Sequence, residues 1–275
     1  MEFYRSKKYL KAFSLLELSI VIATIAILLA AVISARTIKK NFEQKSFYQE
    51  LIQIKEKINN FKLIYGYLPG DFPKAGRLFN NILSRCTDEI IDSGFGTNSR
   101  KGCNGDGDNN WDSSLVSCCY GEGYMVWLHL QLANLLSAPY GGEEYYYGYQ
   151  YRNNPQSDAN NLYKSKLLHA LFLPMEWEGS TSHESTRYPR IKVFNATVKA
   201  EQSNAEYGLF SPEELYAIDL KYDDGKPMLG EINAIKGNYT IANSNSCTSG
   251  NTIHSFFYNT AHDDKVCDLY FLIRD

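Results

Sequence analysis

The chain has 275 residues and a formal charge of −3, with 44% hydrophobic and 21% charged residues. That composition supports a packed core and excludes a broad basic field of the kind that binds nucleic acid. Its 21 tyrosines and 14 phenylalanines suit a Tyr-rich β-domain or large, partly wet contact surfaces, because tyrosine joins an apolar ring to a polar tip.

Residues 1–12 read MEFYRSKKYLKA, where Arg5, Lys7, Lys8 and Lys11 face Glu2 alone. Residues 13–35, FSLLELSIVIATIAILLAAVISA, are apolar for about the length a helix needs to cross a bilayer. The basic flank predicts a cytoplasmic N-terminus and an exported remainder. A cleaved signal peptide competes, since AVISA at 31–35 imitates a cut site, as does a plain signal anchor. Glu17 argues against both. It is the only charge in the apolar span, and an acid placed in a membrane helix needs a partner or a role.

Beyond the span, Phe47, Leu51, Ile54, Ile58, Phe61 and Tyr65 recur at alternating steps of four and three, the apolar stripe of an amphipathic helix. Lys40, Glu43, Lys45, Glu50, Lys55, Glu56 and Lys57 supply its polar faces. Gly66 ends it. A helix from Ser14 to Tyr65 would be about 75 Å long at 1.5 Å per residue.

Leu68-Pro69-Gly70-Asp71 reads as a type II turn, and the Gly/Asn/Asp/Ser-rich stretch from there to 112 reads as a long loop. Residues 122–137 predict a helix stopped by Pro139 and Gly141-Gly142, with Val126, Leu130, Ala133 and Leu136 on one side. Tyr145–Tyr151 and 191–198 read as strands and 162–173 as a helix. Leu215–Tyr222 alternates like a strand, and Asp224-Gly225 follows as a hairpin turn. Residues 268–273 predict a closing strand.

The six cysteines, Cys86, Cys103, Cys118, Cys119, Cys247 and Cys267, all lie after residue 85. An even set confined to the exported part predicts disulfides in an oxidising compartment, and no spacing matches a zinc site. Cys247–Cys267 is the favoured pair. Adjacent Cys118 and Cys119 would each take one of Cys86 and Cys103.

Asn104, Asp106, Asp108, Asn110 and Asp112 occupy alternate positions around Gly105 and Gly107. Converging hard oxygens are what calcium requires. Asp71, or Asp223 and Asp224, can add oxygens or form a second site. The alternative is an ion-free turn cluster. An EF-hand frame fails, because Trp111 and Ser117 stand where glycine and glutamate are needed. No HExxH, GxSxG, phosphate loop or GxGxxG occurs. The histidines at 129, 169, 183, 254 and 262 form no ligand spacing, and His129, inside an apolar helix, reads as packing. No catalysis is expected.

Ala12-Phe13-Ser14-Leu15-Leu16-Glu17-Leu18 resembles the processing site of type IV pilins and type II secretion pseudopilins, with Ala12 where the family usually has glycine. LPGDFPKA at 68–75, CNGDGDNNWD at 103–112 and AIDLKYDDGKPMLGEI at 217–232 resemble blocks of the same family, while 140–215 resembles no block of it. The resemblance implies that prepilin peptidase cuts between Ala12 and Phe13, that Phe13 is N-methylated, and that Glu17 pairs with the Phe13 amine of a neighbouring subunit. It implies an α+β, pilin-like fold: a leader (1–12), a transmembrane and filament-core helix (13–35), its amphipathic continuation (36–66), and an exported domain (67–275) carrying a small antiparallel sheet with irregular insertions. Calcium in that domain is a further implication. The partners implied are prepilin peptidase, other pilin or pseudopilin subunits and the inner membrane, which the chain crosses once. The function implied is that of a filament subunit, or alternatively of a minor or tip pilin that binds a surface, DNA or a secretion cargo.

Overall fold

A computed structural model describes residues 14–79, 87–90, 102–111, 122–137, 163–165, 170–176, 188–195, 208–236, 247–250 and 255–273. The chain divides into two compact units, 1–46 and 47–275. One helix, α1 (Leu15–Tyr65), runs for 51 residues. Gly66 closes it at φ 80° and donates its N–H to the Lys62 carbonyl, a left-handed position that favours glycine.

In the first unit, α1 exposes every side chain from Leu15 to Phe42. Its apolar stretch is long and hydrophobic enough to cross a membrane, with none of it buried. In the second unit, Phe47, Leu51, Ile54, Ile58 and Phe61 are buried. That is the stripe read from the sequence, and truncating one such side chain to alanine typically costs about 2–5 kcal/mol.

The stripe lies in one core with an antiparallel sheet. Its strands are β3 (Tyr163–Lys164), β4 (Ala170–Glu176), β5 (Pro189–Asn195), β6 (Ile232–Lys236) and β9 (Cys267–Leu272), in the order β3-β4-β5-β9-β6. Register builds its apolar face. Val193 pairs with Phe172 and Leu269, Ile191 with Pro174 and Phe271, and Ile232 with Phe271. Because side chains alternate along strands, these residues share a face, and Phe47 of α1 meets the Phe172 ring at 6.4 Å. Two small pairs complete the strands among the described residues: parallel β1 (Thr87–Ile90) with β2 (Gly102–Asn104), and antiparallel β7 (Thr248–Ser249) with β8 (Phe257–Tyr258).

Four expectations change. The stretch 68–112 is not one loop: it holds the short helix α2 (Ala75–Phe79) and the β1–β2 pair. Of the residues 162–173 expected as helix, Tyr163–Lys164 and 170–173 are strand, because Ala170–Glu176 finds a full ladder partner in β5, and tertiary pairing overrides local propensity. Leu215–Tyr222 belongs to a helix, α4 (Pro212–Tyr222). Ser211 and Glu214 form a reciprocal capping box and Pro212 occupies its first turn, a start signal stronger than the apparent alternation. Asp224-Gly225 therefore leads from a helix into β6 and is no hairpin.

Helix α3 (Glu122–Leu132) ends before Pro139 is reached. Asn134 adopts φ 56°, its N–H reaches the Gln131 carbonyl, and Leu135 N–H reaches that of Leu130. This is a Schellman stop with asparagine in the left-handed position. Tyr145–Tyr151 lies outside the described residues.

The expected disulfide Cys247–Cys267 is formed and ties the residue just before β7 to the first residue of β9. Cys103 is disulfide-bonded as well, whereas Cys86, Cys118 and Cys119 lie outside the described residues.

Candidate metal centre

Three separate segments meet at the Leu68–Asp71 turn. Gly70 sits at φ 94°, as the third position of a type II turn demands. A side chain there would strike the Glu122 carbonyl at the start of α3. Gly70 N–H donates to His129 Nδ1 (2.8 Å), and His129 Nε2 lies 2.9 Å from the Cys103 carbonyl. Since Nδ1 accepts, Nε2 must carry the proton and donate. Burial holds the His129 pKa down to about 4, against a smaller upward pull from the Cys103 hydrogen bond. His129 is thus a neutral, fully buried brace, the packing role its apolar surroundings predict. The Trp111 indole closes the knot by donating to the Pro69 carbonyl (2.8 Å).

This scaffold gathers Asp71, Asp106, Asp108 and Glu122, each offering a carboxylate oxygen within 4.8 Å of the others. Asp71 is fully buried and Glu122 nearly so. Backbone N–H groups orient the oxygens. Asp71 accepts from Gly107 (2.6 Å) and Asn109 (2.8 Å), and Glu122 from Asp106 (2.7 Å). Asp106 accepts from Asp108 and Asp108 from Asn110, two consecutive Asx turns. Gly105 is needed for close approach: a Cβ there would collide with the Asp71 backbone and meet Glu122 Oε1. Burial pushes the Asp71 pKa up to about 6, with the backbone donors pulling it down and Asp108 and Asp106 adding repulsion.

The donor set fits a hard cation. It is all oxygen, without sulfur or imidazole, and the buried Asn110 Oδ1 has no hydrogen-bond partner among the described residues. Of the residues read from the sequence, Asp106 and Asp108 enter the cluster and Asp71 joins as the added oxygen. Asn104 is committed elsewhere, its Oδ1 accepting from Gly76 N–H at α2 (2.7 Å), and Asp112 lies outside the described residues. Glu122 carried no signal, since its position depends on how α3 docks.

A second acidic group combines Asp219, Asp223 and Asp224 at the end of α4. Asp219 is fully buried, accepting from the Tyr258 hydroxyl (2.6 Å) and Gly225 N–H (3.1 Å). Asp223 accepts from the Glu231 and Ile232 N–H groups, seated where a side chain at Gly230 would collide with it. Burial pushes the Asp219 pKa up to about 7, opposed by its two hydrogen bonds and assisted by repulsion from Asp223 and Asp224. It also raises Asp223.

The folded pKa of Asp219 exceeds the unfolded value near 3.9, so its contribution is fully present below about pH 4 and is lost as pH rises through about 7. Asp219→Asn removes that charge but also weakens the Gly225 hydrogen bond. In chelator, the variant is expected to exceed the parent in stability by about 1–3 kcal/mol at pH 8 and to lose that advantage by about pH 4–5. Urea unfolding at the two pH values checks it.

At the other end of the chain, Ala12 and Phe13 lie outside the described residues. Glu17 has a local partner, Ser14. Its Oε2 accepts from Ser14 N–H (2.9 Å) while Ser14 Oγ accepts from Leu16 N–H (3.2 Å), a capping arrangement at the start of α1. Compared with known proteins, the chain matches no family model, no curated protein and no solved structure.

Proposed function

We propose that the chain is a filament-forming, membrane-anchored subunit of the type IV pilin and type II secretion pseudopilin kind. Prepilin peptidase removes residues 1–12, Phe13 becomes the methylated N-terminus, and residues 13–35 hold the subunit in the inner membrane with its domain exported. The subunit is a substrate of processing and performs no catalysis. Its partners are other pilin or pseudopilin subunits.

The observation that carries this reading is the change of character along α1. One helix is apolar and wholly exposed from Leu15 to Ile33, then buries a stripe from Phe47 to Phe61. A soluble protein has no use for so long an exposed apolar helix, and a cleaved signal peptide would not continue into the core helix of the domain. The leader motif and Glu17 add the processing and assembly chemistry. Calcium is the cation best suited to Asp71, Asp106, Asp108 and Glu122, because they supply several hard oxygens from a loop. Bound there, it would neutralise the repulsion among these carboxylates and pin the 103–111 loop to α3.

The test is mechanical shearing of intact cells or spheroplasts followed by fractionation. The chain is expected in the sheared filament fraction, and to stay wholly with membranes when prepilin peptidase is absent. Retention in membranes under both conditions contradicts the reading.

A further inference from the structure

We infer that the Cys247–Cys267 disulfide closes a clasp: oxidation seats the β7–β8 hairpin against α4, where Tyr258 locks the 223–231 turn in place. The clasp stands whether or not the chain forms filaments.

The hairpin is a weak element by itself. Each of its strands is two residues long, and an isolated two-stranded hairpin is marginal in water. Ser255, Phe257 and Thr260 are exposed, and the buried residues among those described from 247 to 260 are Cys247, Thr248 and Tyr258. Cys247 and Tyr258 tie it to the rest of the domain. Cys247 is bonded to Cys267, which the sheet holds independently: Cys267 exchanges backbone hydrogen bonds with Phe210 (3.0 Å each way) and pairs with Lys236 of β6. Tyr258 donates its hydroxyl to Asp219 Oδ2 (2.6 Å) and sets its ring 5.5 Å from that of Tyr216. The two ties are neighbours. The Cys247 carbonyl accepts from Asn259 N–H (2.9 Å), and Thr248 pairs with Tyr258. Fixing Cys247 therefore fixes the strand that carries Tyr258.

Tyr258 acts on a junction. Asp219 takes the hydroxyl on one oxygen and the Gly225 N–H on the other (3.1 Å), and its carbonyl accepts from Asp223 N–H (2.7 Å). Asp223 accepts from the Glu231 and Ile232 N–H groups, and Glu231 reaches Lys55 of α1 (2.8 Å). A continuous run of hydrogen bonds thus leads from the hairpin through the end of α4 to the start of β6 and to α1. Release of the hairpin removes a donor from the buried Asp219, and a buried carboxylate short of a donor favours local opening.

Forming the bond takes two electrons and two protons from the two thiols. A disulfide oxidant of an oxidising compartment accepts them by exchange. Both cysteines are buried, so exchange precedes docking of the hairpin and the docked hairpin then shields the bond.

Hydrogen exchange of the detergent-solubilised full chain, at one pH and in chelator, tests the clasp. Cys247→Ala/Cys267→Ala is expected to speed exchange of the 223–232 amides about tenfold or more, as the loss of one hydrogen bond to a charged group implies, and to leave the β4–β5 ladder amides unchanged. Tyr258→Phe, which keeps the disulfide, is expected to do the same. Parent-like protection of 223–232 in the cysteine variant overturns the proposal. An acceleration spread evenly over the β4–β5 ladder, or loss of the fold, also overturns it, because the disulfide is then a staple of the whole domain. Protection that survives Tyr258→Phe overturns the role of Tyr258 as the lock.

Discussion

Glu17→Gln is expected to leave the subunit processed and inserted but to reduce sheared filaments by about a hundredfold, since removing one partner of a buried ion pair costs about 3–5 kcal/mol. The substitution separates two roles for this side chain. Glu17 caps α1 through Ser14 N–H, and glutamine serves the same position in a capping box. The cap survives in the glutamine variant while the charge disappears. Cleavage after Ala12 would create an amine on Phe13, one residue from Ser14, and neither that amine nor an ionised Glu17 is stable alone in hydrocarbon. In the proposed filament, pairing between neighbours would offset both costs and set the stagger of one subunit on the next. If Glu17→Gln assembles normally while Glu17→Ala does not, the residue is a cap and no more. Quantifying the sheared fraction against membrane-bound subunit for both variants gives the answer.

Calcium is expected to raise the melting temperature of the detergent-solubilised full chain by about 5–10 °C at a hundredfold excess over its dissociation constant, from a stabilisation of about 2.7 kcal/mol. Without an ion, four carboxylates share a site no wider than 4.8 Å between ligand atoms, and burial already pushes Asp71 up to about 6. Asp71→Asn keeps an acceptor for only one of its two backbone donors and removes a ligand charge. Asp108→Asn, at an exposed position, removes a charge with less cost to the fold. Both are expected to abolish most of the calcium-dependent rise, the second with the smaller loss of stability in chelator. Differential scanning calorimetry with calcium and with chelator checks this. An unchanged transition in the parent shows the cluster to be an ion-free turn.

Local periodicity made the long helix legible. The Phe47-to-Phe61 stripe, its stop at Gly66 and the closing strand at Cys267–Leu272 all appear in the structure. Elements decided by partners were not legible. Residues 170–173 extend because β5 offers them a ladder, and Glu50, read as part of a polar face, is buried to accept from the Tyr163 and Ser165 hydroxyls. The α4 start was readable in Ser211-Pro212-Glu213-Glu214, but the alternation that follows pointed to a strand. The metal cluster was half visible. Alternating oxygens marked Asp106 and Asp108, and the Leu68–Asp71 turn supplied Asp71. Glu122 is brought to them by the docking of α3, which no spacing encodes.

The central claim is that the chain is a processed filament subunit, and the most direct test is the mass of its N-terminal peptide. Membrane-extracted protein is compared from cells with and without prepilin peptidase. The account predicts a mature chain beginning at N-methylated Phe13 only where the peptidase is present. A chain that retains Met1 in both, or begins after Ala35, contradicts it and makes the protein a plain anchored or secreted domain.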